Sequence, residues 1–217
     1  MLFYWRSVPK TNALLTSRIC SGSVLDVGGM AMPCRAEALA GNGCAVTILD
    51  INAPGQALPA GIGLLLKPVE TLDENDGLFD HILLSNILEH LEDPALALRL
   101  CAARLRDGGN IHILSPNCES LNRRIGLKMG IISTIRELNP NDAAVGHLQS
   151  FTTRDMRDLV AGAGLDTLEC FGTQFKPIPT PELMQWPERR VEAFLDIAPE
   201  MPVELCHEFY LRAEKAR

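Results

Sequence analysis

A doubly wound α/β sheet, mostly parallel, is the fold class this sequence predicts, and three observations predict it. Short apolar runs recur along the chain as SVLDV, AVTILDI, IGLLLKPV, FDHILLS and NIHILS. They are continuous rather than alternating, the pattern of strands buried on both faces of a parallel sheet. Helical stretches separate them, and PALALRLCAARLRDGG carries punctuation at both ends: Asp93 to cap free N–H groups, Pro94 at the first helical position, Gly108 for a left-handed stop. Strand, helix and strand in succession make a right-handed crossover, and repeated crossovers put ligands at the carboxyl ends of the strands.

In chain order, the opening MLFYW is aromatic and short, and is expected to pack on the domain as a terminal segment or to meet a partner. SVLDV then leads into a glycine pair, Gly28 and Gly29, after which Met30 and Met32 stand where further glycines would suit a cofactor turn. AVTILDI ends the second strand at Asp50. After Ser115, residues 116–150 form a connection too patterned for a linker and too broken for one helix, which predicts a lid or substrate wall. FTTRDMRDLVAGAG opens on a capping-box pair, Thr152 and Asp155, and stops at Gly162 or Gly164. TLECFGT and HEFYLRAEK read as a hairpin-like edge pair split by a Pro-rich excursion.

With 217 residues, 47% of them apolar and 22% charged, one core and a single domain over 1–217 are the expectation. The net charge of −7 opposes a phosphate backbone, so no nucleic-acid partner is expected despite the local basic group Arg123, Arg124 and Lys128. Seven cysteines, odd in number and without CxxC spacing, argue against a disulfide framework and a zinc site; no metal is expected. No run reaches signal-peptide or membrane-span length, and the expected location is cytoplasmic. The oligomeric state is left open.

Asp26 with Gly28 after the first strand, and Asp50 at the tip of the second, are the first chemical candidates. A carboxylate there accepts from ribose hydroxyls, while a glycine turn lets backbone N–H groups approach a ligand. The alternative for Asp50 is a turn start before Asn52 and Pro54.

Four stretches in order resemble the class I S-adenosylmethionine-dependent methyltransferases: VLDVGG, AVTILDI, FDHILLSNILEHLEDP and LRDGGNIHILSPN. SPNCESLNRR and GHLQSFTTRDMRDLVAGAGL look like its small-molecule branch, which includes glycan-associated and quinone-precursor enzymes. The resemblance implies a seven-stranded sheet with its last strand antiparallel, and methyl transfer by in-line displacement to a small-molecule substrate. It also implies that Asp26, Gly28 and Gly29 serve the methionine end of S-adenosylmethionine. Asp50 and Ile51 would take the ribose and adenine, Val69 and Glu70 the adenine edge, and Ser85 and Asn86 the floor. Met30, Met32 and Pro68 depart from the family pattern and keep a second expectation open, a non-catalytic domain of this fold acting as a binding or assembly partner. A nicotinamide site lacks its G-x-G-x-x-G spacing.

His90 and His147 are the candidate bases, since imidazole is the commonest proton acceptor near neutral pH. Asn117, Arg123 and Arg124 are candidate substrate contacts, Arg offering a planar fork to carboxylate or phosphate. His81 and His112, inside apolar runs, are expected to be structural, and Glu89 to lie on a solvated face or pair with Arg99 or Arg104. Trp5 and Trp186 are expected as core or interface anchors, with a pocket wall as the alternative.

Overall fold

Alternation along the strands sends side chains into two separate apolar layers, and this builds the sheet. The computed structural model describes residues 2–55 and 57–215, the side chains of 2–6 excepted, so the expectations for MLFYW and for the Trp5 side chain lie outside the described residues. The strands are β1 (Ser23–Val27), β2 (Ala45–Asp50), β3 (Gly63–Leu66), β4 (Phe79–Ser85), β5 (Leu105–Pro116), β6 (Leu165–Gln174) and β7 (Glu208–Lys215). They form one sheet in the order β3-β2-β1-β4-β5-β7-β6. The first five pair in parallel, and β7 runs antiparallel to both β5 and β6.

The helices are α1 (Leu2–Arg18), α2 (Pro33–Gly41), α3 (Pro94–Ala103), α4 (Leu121–Lys128), α5 (Pro140–Ala144), α6 (Thr153–Gly162), α7 (Thr180–Leu183) and α8 (Glu188–Asp196). On one face, Val24 and Leu83 pack with Leu15, Ile19, Ala36 and Leu39 of the α1 and α2 region. On the other, Leu25, Val27, Ile82 and Leu84 meet Ala97, Leu98, Met156 and Val160 of α3 and α6. Each such fully buried Val, Leu, Ile or Met side chain is worth about 1.5–3 kcal/mol of transfer free energy.

Two features differ from the sequence expectation, each for a local reason. The helix after Asp93 stops at Ala103 rather than running to Gly108, because Leu105 pairs with Phe79 and is buried. Gly108 is left-handed, φ 74°, but inside the irregularity of β5 that shifts the register from Phe79↔Leu105 to His81↔Asn110. The final strands form the expected antiparallel pair at one edge of the sheet, with β6 outermost. β7 inserts between β5 and β6, and its Phe209, Tyr210, Leu211 and Ala213 are wholly buried, too apolar for an open edge. The helix at Thr153 opens as expected, Thr152 and Asp155 exchanging the two capping-box bonds, and Gly164 beyond it is left-handed.

The 116–150 connection holds α4 and α5, and a bridge between Asn117 and Phe151 closes its ends together. Its far side is fastened to the turn after β4, where Glu89 O accepts the Leu148 N–H at 2.8 Å and Leu91 O accepts the Gln149 amide at 2.6 Å. Trp186 packs in a satellite cluster with Leu183, Val191 and Leu195. No helix among the described residues is long and apolar enough to cross a membrane.

Candidate functional site

The order of strands reverses between β1 and β4, and such a switch point opens a crevice at the carboxyl ends. The turn after β1 occupies it. Gly28 has φ 73° and ψ 20°, and a Cβ there would stand 2.8 Å from Ile87 Cδ1. A Cβ on Gly29 would stand 2.7 Å from Asp26 Oδ2. Both positions therefore demand glycine. The Gly28 N–H donates to Leu49 O at 2.8 Å, and the Met30 N–H donates to Asp50 Oδ2 at 3.0 Å. Asp50 Oδ1 accepts from the backbone and side chain of Asn52 at 2.8 and 3.1 Å, so Asp50 starts a turn and clamps the glycine loop at once.

Met30 and Met32 do not break this turn. Among the described residues Asn86 is the only non-glycine with positive φ, so neither methionine takes the left-handed backbone that favours glycine. Met30 leans on the apolar layer under α2, and Met32 is 8% exposed. An unbranched side chain can be turned aside in this way.

The resulting cleft holds about 840 Å³. Gly28, Asp50, Ile51, Val69, Glu70, Ser85, Asn86 and His90, all named from the sequence, line it, as do Met30, Met32 and Pro68. Ile51 is 69% exposed, an apolar surface in the wall that a flat ring would cover. Ser85 Oγ is buried without a partner there. Asn86, at φ 51°, donates to Glu208 Oε2 at 3.4 Å, a strained residue at the foot of the cleft.

Asp26 and Gly29 stand behind the lining rather than in it. Alternation puts Asp26 on the face of Val24, toward α2, where its Oδ1 meets the Arg35 guanidinium at 3.4 Å and its Oδ2 has no partner. Burial raises its pKa, against the pull of Arg35. Arg35 itself lines the cleft, as do Lys67 and Leu148, and no sequence signal marked them.

Beside the cleft lies a second group. Glu89 is not on a solvated face: the tight turn Leu88–His90 aims it inward, where it is 2% exposed and neither oxygen has a hydrogen-bond partner. Arg99 and Arg104 are not its partners; His147 Nε2 stands 4.0 Å away. Burial pushes the Glu89 carboxyl up to about 7, with its own backbone amide and His147 opposing. Asp142, 3.6 Å from His147 Nδ1, favours charged His147, and Glu89 adds to that pull. His90 packs edge-on against His147 at 4.8 Å and is kept toward neutrality by burial and by that neighbour. One ligand atom each from Glu89, His90 and His147 fall within 4.8 Å of one another, a carboxylate and two imidazoles able to hold a divalent cation.

The remaining expected contacts are spent on structure. Asn117 is buried, donating to Val203, Glu204 and Cys206 carbonyls and accepting from the Glu119 N–H. Arg123 holds the carbonyls of Ile135 and Glu137 and lies 3.5 Å from Asp142, and Arg124 pairs with Glu119. His81 and His112 are structural, in a chain from His81 through His112 to the Tyr210 hydroxyl at 3.0 and 2.7 Å.

A family model described as a methyltransferase domain matches residues 4–169, well over half the chain. The ubiquinone biosynthesis O-methyltransferase of Caulobacter vibrioides is 27% identical over 151 residues, 65% of this chain and 59% of that protein. The protein of the same name from Sodalis glossinidius is 32% identical over 105 residues, 44% of this chain and 41% of its own. The chain thus spans about three fifths or less of these curated relatives. Among solved structures, the 1,6-didemethyltoxoflavin-N1-methyltransferase of Burkholderia thailandensis, with bound 1,6-didemethyltoxoflavin and S-adenosylhomocysteine, superposes at TM-score 0.63. It shares 18% identity, over 97% of this chain and 79% of that one. The N-methyltransferase NodS of Bradyrhizobium japonicum WM9 with S-adenosylhomocysteine gives 0.59 at 14%, over 97% and 88%. At such identities the likeness is one of fold, and the family model carries the rest: the chain belongs to the class I S-adenosylmethionine-dependent methyltransferase family.

Proposed function

We propose that the β1/β4 cleft binds S-adenosylmethionine and that the chain transfers its methyl group to a hydroxyl of a small-molecule acceptor. The observation that carries this reading is the Gly28–Gly29 turn, intact and clamped to Asp50 through the Met30 N–H. Gly28 would admit the methionine end of the cofactor, with Asp26 and Gly29 shaping the turn from behind. A carboxylate offers about four acceptor sites, and Asp50 has given three to the protein, which leaves it one ribose hydroxyl. Ile51, Val69 and Glu70 would flank the adenine, Ser85 and Asn86 the floor.

S-Adenosylmethionine bound there would supply an activated methyl group, which would pass to the acceptor oxygen while the electron pair of the sulfur–methyl bond stayed on sulfur, giving S-adenosylhomocysteine. The acceptor proton needs a receiver. Glu89, buried and without hydrogen-bond partners beside the cleft, is that receiver in this reading, with His147 orienting it and His90 alongside. The 116–150 segment forms the wall on the acceptor side, where Leu148 already lines the cleft. Alignment and exclusion of water supply much of the acceleration. A second reading is favoured by one observation, the 4.8 Å cluster: a divalent cation on Glu89, His90 and His147 would acidify the acceptor hydroxyl directly. Seven free cysteines fit the reducing cytoplasm.

The test is methyl transfer from labelled S-adenosylmethionine to a panel of catechols and phenols, with and without a chelator. Label in the acceptor supports the proposal, and loss of it with chelator selects the second reading. Binding of S-adenosylhomocysteine with no label in any acceptor would favour a non-catalytic member.

A further inference from the structure

One buried cation has no ion-pair partner among the described residues. Lys176, just past β6, is 9% exposed. Its ammonium donates to Thr180 Oγ1 at 3.3 Å and meets His207 Nε2 at 3.1 Å, and among the described residues it forms no ion pair. Burial brings its pKa down to about 8, with Arg123 adding to the fall and Asp142 opposing it.

An ammonium has only donors, so His207 Nε2 must accept and the ring proton sits on Nδ1. That Nδ1 is buried without a partner. Burial foremost, then Lys176 and Arg123, keeps His207 neutral, so this tautomer holds. The imidazole N–H is thus left unmet, beside an ammonium whose two partners among the described residues are both neutral. Unmet buried donors are costly, and an anion answers both at once. Arg123 cannot, being a donor itself, and Asp142 is committed to Arg123 and His147.

The position suits an acceptor. His207 N–H donates to Gln174 O and its carbonyl accepts from Asn117 N–H, which fixes it at the carboxyl ends of the strands. The next residue, Glu208, accepts from Thr173, Gln174 and the cleft residue Asn86. A line therefore runs along the strand ends from the foot of the cleft, through Glu208, to His207 and Lys176.

We infer that Lys176 and His207 form a subsite for an anionic group, carboxylate or phosphate, at the end of the acceptor remote from the methylated oxygen. The inference rests on reading the β1/β4 cleft as the methyl-transfer site. The experiment is calorimetric titration of benzoate and, separately, phenyl phosphate into S-adenosylhomocysteine-loaded protein, comparing wild type with Lys176→Met and Lys176→Gln. At least one anion should bind the wild type, about tenfold or more weaker in both variants, as loss of a charge-assisted bond requires. S-Adenosylhomocysteine affinity should not change. The arm that binds tells carboxylate from phosphate. Absence of binding in both arms, or equal binding by the variants, overturns the subsite. Failure of the wild type to take up S-adenosylhomocysteine counts instead against the cleft reading. A purely structural Lys176 would lower the melting temperature in both variants and leave anion binding unchanged, which also overturns it.

Discussion

Removing the Asp50 carboxylate should perturb both the fold and the proposed cofactor site, and the two effects are separable. In Asp50→Ala the N–H groups of Met30 and Asn52 lose their acceptor. Both lie in part-buried surroundings, so the low end of the penalty applies, about 1 kcal/mol each. For a chain of this size about 2 kcal/mol lowers Tm by roughly 4–8 °C. The ribose would lose its charged acceptor and the glycine loop its clamp, for a further 1–3 kcal/mol, or about 5- to 150-fold weaker S-adenosylhomocysteine binding. Asp50→Asn keeps one oxygen acceptor, so its Tm should fall less while its affinity still drops. Differential scanning fluorimetry reads the first quantity and calorimetry the second. If Asp50→Ala matches the wild type in both, the clamp and the ribose assignment are wrong together.

Glu89→Gln keeps the side chain's shape and removes its proton-accepting ability; turnover should fall by about 10²-fold or more, with S-adenosylhomocysteine affinity unchanged. Unchanged turnover would remove Glu89 from the proton path. His112 is fully buried, and burial followed by His81 holds its pKa down to about 3. Unfolded His binds its proton below about 6.5 while the folded one resists. Stability is therefore present above that value and drains away as pH falls toward 3, by about 1.4 kcal/mol per pH unit. Denaturant titrations at pH 7 and pH 5 should show this loss in the wild type and a smaller one in His112→Gln; equal losses would refute the assignment. Met30→Gly should lower Tm without tightening cofactor binding, because Met30 packs on the α2 layer; a marked gain in affinity would show that methionine obstructs the turn.

Much of this was legible in the chain because the signals were local. Apolar runs declared the strands, Thr152 and Asp155 sit three residues apart as a capping box must, and Gly28 and Gly29 stand where Ile87 and Asp26 leave no room for a side chain. What escaped depends on distant partners. Helix α1 contains Pro9, which argues against a helix from sequence alone, while Leu15 further along it is fully buried against the sheet. Glu89 looks exposed in NILEHLEDP, and only the tight turn after β4 and the 116–150 segment tied to it turn it inward. Lys176 and His207 lie 31 residues apart, brought together by β6 and β7. The direction of Asp26 is written in the alternation itself: Leu25 and Val27 face one layer, so the residue between them must face the other.

The central claim is that the turn at Gly28 holds the cofactor. Calorimetric titration of S-adenosylhomocysteine into the wild type and into Gly28→Ala tests it most directly, since an added Cβ meets Ile87 Cδ1 at 2.8 Å on a left-handed backbone. The account predicts saturable binding at one site per chain in the wild type and strongly weakened or lost binding in a variant that still folds. No binding by the wild type, or equal binding by both proteins, would contradict it.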